Sequence, residues 1–161
     1  MNYLSFIENK IVREKEQLTN ILNQWRFKDE KIIFTNGCFD ILHRGHVEYL
    51  AQAASLGTKL IIGLNTDSSV RRLKGENRPV NDQEARAILL ASLIFTDKIV
   101  FFGEDTPLDL IRFIQPDILV KGSDYKPEDI VGYDIIKAKG GKIITIDLTM
   151  GYSTTSILKK I

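Results

Sequence analysis

From Lys31 onward, short apolar runs alternate with amphipathic stretches. The apolar runs, residues 31–35, 59–64, 98–102, 118–121 and 142–146, are rich in β-branched and aromatic side chains and predict buried strands. Between and after them, helical spacing of apolar positions covers residues 45–56, 83–95, 108–114, 128–139 and 154–160. Gly57, Gly103, Pro107, Pro116 and the pair Gly140-Gly141 punctuate the joints. Strands that alternate with helices argue for βαβ units, hence an α/β fold: a doubly wound, five-stranded parallel sheet. Upstream, Leu4, Ile7, Ile11, Leu18, Ile21, Leu22 and Trp25 fall on one helical stripe among charged positions. That stripe predicts one or two amphipathic helices, an N-terminal helical extension over residues 1–27 ahead of a domain at 28–161. It serves either to pack on its own domain, or as a subunit interface or hinge to another domain.

With 161 residues the chain suffices for one domain with a substantial core. Hydrophobic residues make up 43% and charged residues 27%, with 22 basic against 21 acidic side chains. That balance excludes a disordered chain and a charge-dominated nucleic-acid surface, so any phosphate-binding surface has to be local. Cys38 is the single cysteine, which excludes an internal disulfide and fits a reducing cytoplasm. No apolar run is long enough to span a bilayer, and the charged N-terminal segment is unlike a secretory signal; a soluble, cytoplasmic protein without a membrane partner is expected.

The chemistry concentrates in the run from Phe34 to Leu50. There a strand ends, Asn36-Gly37 permits a sharp turn, and His43 and His46 stand three residues apart where a helix starts. Free backbone N–H groups and the positive end of the helix dipole make such a place an anion site. Three uses of the histidines compete. Cys38, His43 and His46 could hold zinc, but no further cysteine or histidine exists to complete the set. The two rings could be a structural pair. Or they could donate to charge developing on a phosphate, the reading preferred because both histidines lie in this one turn.

Other polar strand ends converge on the same side if the sheet is doubly wound: Asn65-Thr66-Asp67, Lys121-Gly122-Ser123-Asp124, and the segment Gly151 to Thr155. At Ser153-Thr154-Thr155 a second helix start can hold phosphate oxygens. Residues 73–79, carrying Lys74 and Arg78, form a basic loop able to close on an anionic substrate.

The run Gly37-Cys38-Phe39-Asp40-Ile41-Leu42-His43-Arg44-Gly45-His46 resembles the G-x-F-D-x-x-H-x-G-H signature of the cytidylyltransferase-like nucleotidyltransferases, and Gly151 to Thr155 resembles their C-terminal I-S-T-T element. Their fold is Rossmann-like. Within that superfamily the motif run, residues 63–70, Arg72-Leu73-Lys74-Gly75, Arg78-Pro79 and residues 120–125 are similar to the adenylyltransferase domain of bacterial heptose 1-phosphate enzymes. Glycerol-3-phosphate cytidylyltransferases carry an arginine shortly before I-S-T-T, where Leu148, Thr149 and Met150 stand here, which speaks against a cytidine donor.

The resemblance implies transfer of AMP from ATP, with Mg²⁺ carried on the triphosphate and no dedicated protein metal site, to D-glycero-β-D-manno-heptose 1-phosphate, giving ADP-heptose and pyrophosphate. It assigns His43, His46 and Lys74 to catalysis. Thr35, Asn36, Gly37, Cys38 and Phe39 would offer backbone N–H groups to the nucleotide, and Asp40 would fix that loop or a nearby metal. Lys121, Gly122, Asp124, Tyr125, Ser153, Thr154 and Thr155 would complete the nucleotide site, and Asn65, Asp67, Lys74 and Arg78 would meet the acceptor. A separate sugar kinase would supply the substrate, and a homodimer or larger assembly is expected. The rival readings are the same transfer from CTP, or to glycerol 3-phosphate or another phosphorylated acceptor, and a nucleotide-binding subunit without turnover.

Overall fold

The computed structural model describes residues 2–160. In chain order the elements are α1 (Tyr3–Glu8), β1 (Ile11–Val12), α2 (Lys15–Phe27), β2 (Ile32–Gly37), α3 (Arg44–Ala54), β3 (Lys59–Asn65), α4 (Asp67–Lys74), α5 (Gln83–Ala91), β4 (Lys98–Phe102), α6 (Leu108–Ile114), β5 (Ile118–Gly122), a 3-10 turn (Pro127–Asp129), α7 (Tyr133–Ala138), β6 (Lys142–Ile146) and α8 (Thr154–Leu158). All the strands pair in parallel, in the order β1-β4-β3-β2-β5-β6. No helix among the described residues is long and apolar enough to cross a membrane.

Strands buried on both faces need apolar residues at consecutive positions, and period-two alternation then sends neighbours to opposite layers. In β2, Ile33 enters one core while Ile32 and Phe34 enter the other; in β3, Leu60, Ile62 and Leu64 oppose Ile61; in β5, Ile118 and Val120 oppose Leu119. The first core is closed by Tyr49, Leu50 and Ala53 of α3 and by Ala87, Leu90 and Ala91 of α5. The second is closed by Leu18, Leu22 and Trp25 of α2, Ile111 and Ile114 of α6, and Ile136 of α7.

The sheet has six strands where the sequence pattern predicts five. Ile11, placed by that pattern on a helical stripe, and Val12 beside it form β1 instead and pair with Ile99 and Val100 at the sheet edge. Two residues are too short for any periodic signal; only the exposed edge of β4 makes them a strand. The helix expected over residues 128–139 is likewise split. Gly132 has φ 92°, and a Cβ there would lie 2.9 Å from the Ile111 side chain, so the chain breaks before α7 starts. The pattern also missed α4, capped by the Thr66 hydroxyl accepting from the Ser69 N–H. Leu73 and Lys74 therefore end a helix rather than open a loop.

Strand order reverses between β2 and β5, since β3 and β4 continue to one side of β2 while β5 and β6 continue to the other. Ligands in such sheets bind beyond the carboxyl ends at that reversal.

Candidate active site

A cleft of about 610 Å³ opens at this reversal. Asn36, Gly37, Cys38, Phe39, Asp40, His43 and His46 line it from the turn after β2; Asn65 and Lys74 line it from the β3 side. Lys121, Gly122, Asp124 and Tyr125 come from the end of β5, and Ser153, Thr154 and Thr155 from the start of α8. Four loops distant in sequence thus meet in one place.

His43 is the N-cap of α3 rather than part of its first turn. Its Nδ1 accepts the His46 N–H at 3.3 Å, which in the neutral ring leaves the proton on Nε2 as a donor. The rings of His43 and His46 stack with centroids 3.7 Å apart, and the Phe39 ring meets His46 edge-on at 5.1 Å. Gly45 lets the stack form, since a Cβ there would lie 3.1 Å from the His43 ring and 3.2 Å from Tyr152. Burial lowers the pKa of His43. That of His46 falls to about 4, through burial and the charges of His43 and Lys74, against the opposing pull of the Ile41 carbonyl. Its Nδ1 is buried without a hydrogen bond of ordinary geometry. Both rings are therefore neutral near pH 7 until an anion arrives to favour their protonated forms.

Buried charge holds the turn in shape. The Asp40 carboxylate accepts from the Val80 N–H (2.8 Å), the Asn81 N–H (3.0 Å) and Arg78 Nε (2.6 Å). Burial would raise its pKa, but these donors together bring it below the usual carboxylate range. With its oxygens taken up by the 78–81 segment, Asp40 anchors the loop. Arg86, 1% exposed, was not singled out in the sequence. Its guanidinium donates to the carbonyls of Cys38 (2.7 Å), Asn65 (2.9 Å) and Asn81 (3.0 Å) and to the Asp67 carboxylate (2.8 Å). The one signal for it was a cation in the apolar phase of α5, beside Ala87 and Leu90.

Three selected residues stand apart from the cleft lining. Thr35 points into the core, its hydroxyl 2.7 Å from that of Tyr49. Asp67 is taken up by Arg86, and Arg78 by Asp40. Strand alternation turns the Thr35 side chain away from the cleft, and the Asp67 and Arg78 side chains are engaged by the protein itself. Cys38 directs its thiol toward Asn65 Oδ1 at 3.8 Å, and burial raises its pKa against the charges of Lys74, Arg86 and Arg78. Among the described residues no group of three or more His, Cys, Asp or Glu side chains is arranged to hold a metal ion.

The opposite wall is the C-terminal segment. Ser153 caps α8 reciprocally with Ser156. Thr149 donates to Glu48 of α3 at 2.5 Å, and Arg44 of α3 lies over the Tyr152 ring with its centroid 5.4 Å away. The helix starts of α3 and α8 are thereby fastened side by side. Two sets of backbone N–H groups, two imidazoles and two lysines around one cleft can hold a polyanion and absorb charge that develops on it.

Comparison with known proteins agrees. The protein named bifunctional protein HldE of Campylobacter jejuni subsp. doylei is 53% identical over 152 residues, 94% of this chain and 32% of that protein. The chain spans about a third of the length of the curated relatives it matches. Among solved structures, the lipopolysaccharide core biosynthesis protein of Thermoplasma volcanium gives a TM-score of 0.59 at 25% identity, covering 74% of this chain and 97% of that one. Pantoate-beta-alanine ligase of Francisella tularensis gives 0.65 at 18% identity, over 94% and 72% of the respective chains, a likeness of fold alone. Residues 34–160, from the middle of β2 through α8, match the cytidylyltransferase-like family model, and the chain belongs to that family.

Proposed function

We propose that the chain transfers the adenylyl group of ATP to D-glycero-β-D-manno-heptose 1-phosphate, releasing pyrophosphate and forming ADP-heptose. The observation that carries this reading is the neutral, stacked histidine pair at the α3 N-terminus, facing the same cleft as Lys74 and the α8 start. The acceptor's phosphate is already ionised near neutral pH, so the reaction needs no general base and no covalent intermediate. What it needs is two polyanions brought into line and stabilisation of the charge that shifts onto pyrophosphate.

His43 Nε2–H and His46 donate to the nucleotide phosphates, helped by the α3 dipole, and Lys74 adds a full positive charge. ATP enters with its Mg²⁺, the ion held mainly by phosphate oxygens. Supporting adenine over cytosine are the motif resemblance and the engagement of Thr149 with Glu48, at the place where glycerol-3-phosphate enzymes put an arginine. Supporting a sugar-phosphate acceptor are the half-identical bifunctional relative and the solved neighbour described by lipopolysaccharide core biosynthesis. A kinase reaction has to furnish the phosphorylated sugar, and two or more copies of the chain assemble.

The test is a matrix of the four common nucleoside triphosphates against heptose 1-phosphate, other sugar 1-phosphates and glycerol 3-phosphate, with pyrophosphate measured. Turnover is expected with ATP and the heptose. Turnover confined to CTP or to glycerol 3-phosphate would replace the donor or acceptor, and none with any pair would refute transfer.

A further inference from the structure

Lys121 stands apart from the other cations of the cleft. It lies on β5, across β2 from Lys74, which ends the helix after β3. Its Nζ makes one long contact, 3.5 Å to the Asn36 carbonyl, and sits 5.7 Å from the Tyr125 ring centroid. It joins no ion pair among the described residues, and burial lowers its pKa to about 8 against the pull of Asp124 and Cys38. Asp124 attracts it without closing an ion pair, so the ammonium is partly desolvated with no direct counter-ion, and a bound anion would supply one. The anion must lie at the strand reversal itself, between the end of β2 and the end of β5.

In-line displacement sets the incoming and departing oxygens at opposite ends and spreads charge over the equatorial oxygens between them. The stacked histidines and the start of α3 suit the departing end; Lys121, at the end of β5 beside the end of β2, suits the middle. We propose that Lys121 binds the non-bridging oxygens of the α-phosphoryl group in transfer, while His43, His46 and Lys74 hold the pyrophosphate. This assignment rests on the transfer reaction given above. An oxygen of the acceptor phosphate forms the new bond to the α-phosphorus, the bond to the β-phosphate breaks, and its electron pair leaves with pyrophosphate; no proton is exchanged.

Calorimetric titration of the full chain with AMP, adenosine and pyrophosphate separates the subsites. Lys121→Met is expected to weaken AMP about tenfold or more while adenosine and pyrophosphate change less than about threefold. Its kcat should fall by roughly 10², with Lys121→Arg recovering part of the loss. Thermal unfolding checks folding, and Lys121→Gln stands in if the methionine variant unfolds. Unchanged AMP affinity overturns the assignment, as does a parallel loss of adenosine, which would make Lys121 a nucleoside contact, or of pyrophosphate. Wild-type protein that binds these probes yet releases no pyrophosphate from any substrate pair would instead refute the transfer reaction.

Discussion

The two walls of the cleft are built by different means. On the β3 side, buried Asp40 and Arg86 tie together the turn after β2, residues 65–67 and the segment 78–86 through seven hydrogen bonds to backbone and side-chain partners. On the C-terminal side, α8 buries no residue, and Thr149–Glu48 and Arg44–Tyr152 are exposed or partly exposed contacts. Buried, fully satisfied charge networks are rigid and costly to break, whereas exposed pairs are worth little. The difference teaches that the turn after β2 is held by buried charge, while the wall bearing Ser153 to Thr155 is held by weaker, more exposed contacts.

The contrast is tested most severely by Arg86→Met and Asp40→Ala, each leaving buried partners unpaired. Either should destabilise the fold by about 3 to 5 kcal/mol in urea unfolding. Variants as stable as the wild type would show that the rigid wall is not rigid. His46→Ala removes one preorganised donor and should lower kcat by roughly 10² to 10³, about 2.7 to 4 kcal/mol, with the fold retained. Retained turnover would take His46 out of the chemistry.

A pH prediction follows from the same ring. His46 titrates at about 4 in the folded chain against an ordinary 6.5, so the unfolded chain binds more protons between those values and stability falls as pH drops from 6.5 to 4. The loss should reach about 1 to 3 kcal/mol and be absent from His46→Asn, measured as the difference in unfolding free energy across that window. Equal acid sensitivity in both proteins would contradict it. Smallest is Thr149→Val on the loosely fastened wall. Less than about 1 kcal/mol of stability should be lost, with KM for ATP raised a few-fold and kcat nearly kept. A large drop in stability there would erase the difference between the walls.

The sequence by itself determined the strand–helix alternation, because apolar runs and helical periods are local and long enough to read. It also determined the turn after β2 and the start of the helix that follows, because Asn36-Gly37, His43, Gly45 and His46 act through backbone geometry within a dozen residues. Lys121 and Ser153 to Thr155 were legible as a polar strand end and a helix start, and Lys74 as a cation of a basic loop, although their convergence depends on strand order. Tertiary structure alone decided the rest. Edge pairing turned Ile11 and Val12 into a strand, since two residues carry no period. Close packing under Ile111 leaves no room for a Cβ at Gly132, whose positive φ interrupts the helix there. Arg86 became the tie among three loops, and Asp67 and Arg78 were paired with Arg86 and Asp40, because a charge takes its partner from whatever the fold brings near, however far apart the two stand in the chain.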